Sequence, residues 1–137
     1  MSSKSLLLIP MLSLVALLSA CAGPMPKADP SEAWIGFSSD AQGSLLAEDV
    51  DGKRLNDGRY FEVTPGSHKL DVALFIDGGP GDNNQEECQL GIKFDGFKAG
   101  EHYQLVESSL GEEHRAELVD SHGHQLGQTK DFDCQAS

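Results

Sequence analysis

Lys69-Leu70-Asp71-Val72-Ala73-Leu74-Phe75-Ile76-Asp77 and, after a polar loop, Cys88-Gln89-Leu90-Gly91-Ile92-Lys93-Phe94-Asp95 decide the fold of this chain. Apolar residues recur at every second position: Leu70, Val72, Leu74 and Ile76 in the first run, Cys88, Leu90, Ile92 and Phe94 in the second. Successive side chains of a strand point to opposite faces, so a period of two builds one buried face and one wetter face. Ala73 and Phe75 interrupt the polar face of the first run and predict partial burial there too. His68 and Asp71 mark its wetter end.

The same punctuation continues on both sides. Upstream, Trp34 to Ser38 and Leu45 to Val50 are short apolar runs. Asp51-Gly52 is a two-residue hairpin signal. Asn56-Asp57-Gly58 marks a further turn, and Phe61 and Val63 share one face of a strand over Arg59 to Thr64. In Thr64-Pro65-Gly66 the glycine can supply a positive φ. Downstream, Asp95-Gly96 opens a predicted turn that ends near Ala99-Gly100. Strands follow at His102 to Glu107, with Tyr103 and Leu105 inward, and at Arg115 to Asp120. Gln125 to Thr129 completes a hairpin around Ser121-His122-Gly123-His124, and Asp131 to Cys134 closes the chain. No useful helical periodicity appears after residue 21. Many short strands with turn signals between them predict an all-β fold, a small antiparallel β-sandwich of immunoglobulin-like type or a barrel.

The N-terminus is of another kind. Lys4 is followed by an apolar run from Leu6 to Leu18, then by small residues and a cysteine. This is a secretory signal, too short and wrongly flanked for a membrane span. Leu18-Ser19-Ala20-Cys21 resembles the lipobox of bacterial lipoproteins. That resemblance implies cleavage before Cys21 and lipidation of its thiol and new amino group. With Ala22 rather than aspartate after the cysteine, it also implies an outer-membrane anchor facing the periplasm. Residues 1–20 are therefore assigned to a signal peptide, 21–32 to a lipidated N-terminus and flexible tether, and 33–137 to a β-sandwich domain. Pro24, Pro26 and Pro30 bias the tether toward extended polyproline II.

Composition narrows the function. The chain has 22 acidic and 10 basic side chains. Loss of Lys4 with the signal makes the mature chain still more acidic. Such a body argues against nucleic acid as a partner, because that needs basic surface. A basic envelope protein is compatible with it. Two cysteines remain beyond Cys21, and Cys88 and Cys134 read as one disulfide in an exported chain.

One stretch carries a second family resemblance. Val50-Asp51-Gly52-Lys53-Arg54-Leu55, with Phe61-Glu62-Val63-Thr64-Pro65-Gly66-Ser67-His68-Lys69-Leu70-Asp71-Val72, is similar to the PEGA-type surface repeat over residues 50–72. It lacks a Pro-Glu-Gly-Ala segment. The resemblance implies a small extracytoplasmic β module that binds rather than catalyses.

Candidate chemistry lies in two clusters. Asp120, His122 and His124 combine a carboxylate with imidazoles at i and i+2, donors suited to zinc or copper, while Gly123 between them also reads as the tip of an exposed hairpin. His102 and His114 are further potential ligands. Asp82, Asn83, Asn84, Glu86 and Glu87 supply hard oxygen donors without EF-hand spacing, and read as a partner-binding loop. Nucleophilic catalysis finds no G-x-S-x-G elbow, and Gly78-Gly79-Pro80-Gly81 has no lysine for phosphate. Most aromatics are core by alternation, whereas Trp34, just past the tether, is a candidate exposed anchor. These signals predict a non-catalytic binding or accessory module with no resident cofactor. The alternatives are a periplasmic metal-binding lipoprotein and an inhibitor of a basic hydrolase such as lysozyme, the latter by analogy in anchor, disulfide and charge.

Overall fold

In a computed structural model, residues 23–38, 44–77, 85–110, 113–129 and 131–136 are described. They form ten strands and no helix. In chain order these are β1 (Ala33–Phe37), β2 (Leu45–Val50), β3 (Lys53–Arg54), β4 (Phe61–Val63), β5 (Gly66–Asp77), β6 (Gln85–Phe97), β7 (His102–Leu110), β8 (Glu113–Val119), β9 (Gln125–Gln128) and β10 (Asp131–Ala136). They build two five-stranded sheets, ordered β4-β1-β7-β8-β9 and β10-β6-β5-β2-β3. The fold is a small β-sandwich.

The founding pair, β5 and β6, runs antiparallel with Leu70 opposite Ile92, Val72 opposite Leu90 and Leu74 opposite Cys88. Their inward side chains are at most 3% exposed. The facing sheet contributes Ile35, Phe61, Leu105, Ala116 and Leu118, each fully buried. Phe61 meets the Phe37 ring edge-on at 6.2 Å. Ala73 is fully buried, while Phe75, expected to share its partial burial, is 39% exposed.

Two details depart from the sequence reading. The sandwich is not wholly antiparallel, because β1 pairs with β7 in parallel, Trp34 beside His102 and Phe37 beside Leu105. A parallel pair needs a long crossover, and here β2 to β6 lie between the two strands in sequence. Asp95-Gly96 is not a turn either. Gly66 faces Phe97 while His68 faces Phe94, so β6 carries an extra residue there. Such a bulge bends the strand without ending it. It brings both Phe94 and Phe97 against the core, with rings crossed at 4.9 Å, and the turn falls at Lys98 to Gly100.

The turn residues act as their chemistry dictates. Val50 faces Lys53 across Asp51-Gly52, whose φ values are 52° and 82°. Positive φ at both central positions matches the right-handed twist of the flanking strands.

The disulfide joins Cys88 to Cys134, which stand directly opposite each other on β6 and β10. It fastens the last strand to the edge of its sheet. The N-terminal segment is not wholly detached from the body. The Gly23 carbonyl accepts from Arg59 Nη1 at 3.1 Å, and the Asp29 N–H donates to Glu62 Oε2 at 3.0 Å.

Candidate functional site

The hairpin between β8 and β9 is organised by Asp120. Its Oδ1 accepts the backbone N–H groups of His122 and His124, each at 2.9 Å. Aspartate closing a turn on the N–H two residues ahead is a local alternative to ladder pairing. Gly123, at φ 85°, completes it. The His124 N–H, then that of His122, holds the Asp120 carboxyl below its ordinary range. Asp120 Oδ2 also lies 3.2 Å from His124 Nδ1, while the His122 and His124 rings are 6.1 Å apart.

Asp120, His122 and His124 are thus neighbours on an exposed tip, with the carboxylate engaged by the turn itself. Among the described residues, one group of three His, Cys, Asp or Glu side chains brings its ligand atoms within 4.8 Å, namely Glu86, Cys88 and Cys134. Its two sulfurs are joined to each other. Glu86 and Glu87 lie in β6 rather than in the expected loop, opposite Ile76 and Phe75 of β5. Asp82, Asn83, Asn84 and Cys21 lie outside the described residues.

A second polar cluster escaped the sequence reading. His68 Nδ1 lies 2.6 Å from Asp51 Oδ2, and its Nε2 lies 2.7 Å from the Thr64 carbonyl and 3.1 Å from the Thr64 hydroxyl. Carboxylate, imidazole and hydroxyl in a row have the outline of a nucleophile activated by a base. A carbonyl oxygen only accepts, so Nε2 carries its hydrogen and takes no proton from Thr64. The cluster is a clasp instead. Asp51 Oδ1 accepts the Lys69 N–H at 2.8 Å, which ties the β2–β3 hairpin to β5.

The clasp predicts acid sensitivity. The His68 hydrogen bond, then that of the Lys69 N–H, lowers the Asp51 pKa from its ordinary 3.8. A carboxylate with a depressed folded value contributes stability fully above its unfolded value, and loses it as pH falls through the folded one. Asp29, Asp57 and Asp120 share that direction, whereas Glu32 and Glu48 are raised chiefly by burial and run the other way. Asp51→Asn is expected to give a flatter decline of the urea midpoint below about pH 4 than the parent protein. Parallel pH profiles for the two proteins would remove Asp51 from the acid response.

The outer face of the first sheet carries the more open site. Ala33, Ile35 and Phe37 of β1 point inward, so Trp34 and Gly36 point out. The indole of Trp34 stacks on Tyr60, ring centres 4.3 Å apart and planes within 5°. Burial pushes the Tyr60 hydroxyl pKa up, with Asp57 and Glu62 adding to it. Beside the indole a hollow of about 360 Å³ is lined by residues that include Trp34, Gly36, His102, Gln104, Asp120 and Ser121. On the other flank of Asp120 a second hollow, of about 320 Å³, is lined by residues that include Phe94, Lys98, His122 and Leu126. Trp34 and His102, singled out in the sequence as an anchor and a potential metal ligand, and Tyr60 and Gln104, passed over, therefore share one surface with the Asp120 turn. Alternation held the signal, since inward Phe61 forces Tyr60 outward. No protein-family model, curated protein or solved structure matches the chain.

Proposed function

We propose that this chain is a lipid-anchored, non-catalytic module of the bacterial cell envelope that binds another envelope component from the periplasmic face of the outer membrane. The observation that carries the binding reading is the pair of adjoining hollows on either side of the Asp120 turn. The hollow beside Trp34 lies on the outward face of the first sheet, whose other face is closed core, while the second opens where the two sheets meet, with Phe94 and Gly96 of β6 in its lining. The anchor rests on Leu18-Ser19-Ala20-Cys21 after its apolar run. Each buried methylene of an acyl chain contributes about 0.8 kcal/mol, so several chains on one cysteine hold a protein on a bilayer lastingly.

The two halves of the reading have separate tests. Cys21→Ser is expected to move the protein from the membrane fraction to the soluble periplasm, or to leave it as uncleaved precursor. Wild-type membrane retention of that variant would sink the lipid anchor. A photo-crosslinking residue at Ser121, in living cells, is expected to give one dominant adduct. Adducts scattered over abundant envelope proteins would sink the binding module.

A further inference from the structure

We infer that the hollow beside Trp34 binds an uncharged sugar ring, with the second hollow beyond Asp120 receiving the next part of a glycan chain. This names the ligand class of the binding module proposed above and rests on that reading.

Shape comes first. Tyr60 covers one face of the indole and is not part of the hollow's lining, so the hollow opens on the side away from it. A pyranose offers a flank of C–H groups that packs against an aromatic ring, whose face carries negative charge density. Residue 36 in the lining is glycine, and a Cβ there would lie 3.5 Å from Trp34 Nε1, in ordinary contact with the indole edge. At about 360 Å³ the hollow is at the small end of the roughly 300–1,000 Å³ usual for small-molecule sites.

Hydrogen-bonding capacity comes second. Trp34 Nε1, the His102 imidazole and the Gln104 amide have no hydrogen-bond partner among the described residues. Together they offer donors and acceptors side by side, the pattern that hydroxyls, each both donor and acceptor, satisfy. Phosphate or carboxylate ligands would find no lysine or arginine in this lining.

Charge comes third. Two carboxylates border the first hollow, Asp120 in the lining and Glu62 opposite Trp34 on β4, and Glu101 and Lys98 offset each other in the second. Asp120 is engaged by its own turn and Glu62 by the Asp29 N–H. They keep their negative charge and repel an anionic sugar. An uncharged ring matches the unpaired donors and acceptors of the lining, and the cationic control below separates it from a cation.

Trp34 is the sole tryptophan of the chain, so its fluorescence reports on this hollow alone. The mature lipidated protein, in a detergent without sugar headgroups, would be titrated with the tetramers of N-acetylglucosamine and of glucose. Tetramethylammonium chloride serves as the cationic control. The expected result is a saturable fluorescence change with one or both tetramers, tighter than with the matching monosaccharide. Comparing the two tetramers tells whether an acetamido group is read. Gln104→Ala and His102→Ala are each expected to weaken the affinity about tenfold, the scale of one hydrogen bond lost from a polar site, with the melting temperature unchanged. Silence with both tetramers overturns the sugar assignment. So does an equal response to tetramethylammonium, or binding that survives both substitutions. If the sugars are silent while the Ser121 adduct remains single and dominant, the ligand class falls and the binding module stands. If the adduct fails as well, both fall.

Discussion

Phe61→Ala is expected to lower the stability of the domain by about 3–5 kcal/mol, the usual cost of emptying a fully buried phenylalanine site. Phe61 is 0% exposed and is one of the largest side chains wholly enclosed by the fold. It sits on β4, a three-residue strand at the edge of its sheet, and pairs only with β1. So short a strand has little ladder to hold it, and the buried rings and aliphatics supply what the hydrogen bonds do not. Truncation removes the edge contact to Phe37 and leaves a void between the sheets. It also loosens Tyr60, the next residue, which covers one face of Trp34. Urea unfolding followed by Trp34 fluorescence reads both effects. A loss below about 1 kcal/mol would mean that the core closes over the gap.

Cys88→Ser with Cys134→Ser is expected to cost up to about 4 kcal/mol, since the bond closes a loop of 46 residues. Cys88 is fully buried beside Leu74, whereas β10 is an edge strand whose only sheet partner is β6. Without the bond, β10 is expected to fray. That would uncover the hydrogen-bonding edge of β6 from Glu86 to Gly91, the kind of edge on which chains pair and aggregate. Two measurements apply: the urea midpoint with and without reductant, and light scattering of the double variant. Equal midpoints would show that β10 needs no staple.

Much of this architecture is legible in local pattern. Alternation in residues 69–77 and 88–94 marks the two central strands and their core faces, and Asp51-Gly52 marks a hairpin. The turn around Asp120 is legible because Asp and Gly solve that geometry. What is not legible depends on partners distant in sequence. Nothing local pairs Trp34 with His102, so neither the parallel strand nor the hollow beside it can be read from the chain alone. The bulge at Asp95-Gly96 carries the same residues as a turn, and only the register of β5 distinguishes them. The Asp51–His68 clasp escaped for the same reason, because β2 must first lie beside β5.

The parallel pairing of β1 with β7 also sets an order of events for a chain that emerges N-terminus first. β1 emerges early and belongs to the interior of its sheet, yet its neighbour His102 follows about 68 residues later. Until β7 arrives, one edge of β1 stays open with Ile35 and Phe37 still unburied. Contacts of such long sequence separation slow folding and prolong the exposure of apolar surface. The first sheet is therefore complete only when β9, at Gln125–Gln128, has emerged, close to the end of the chain.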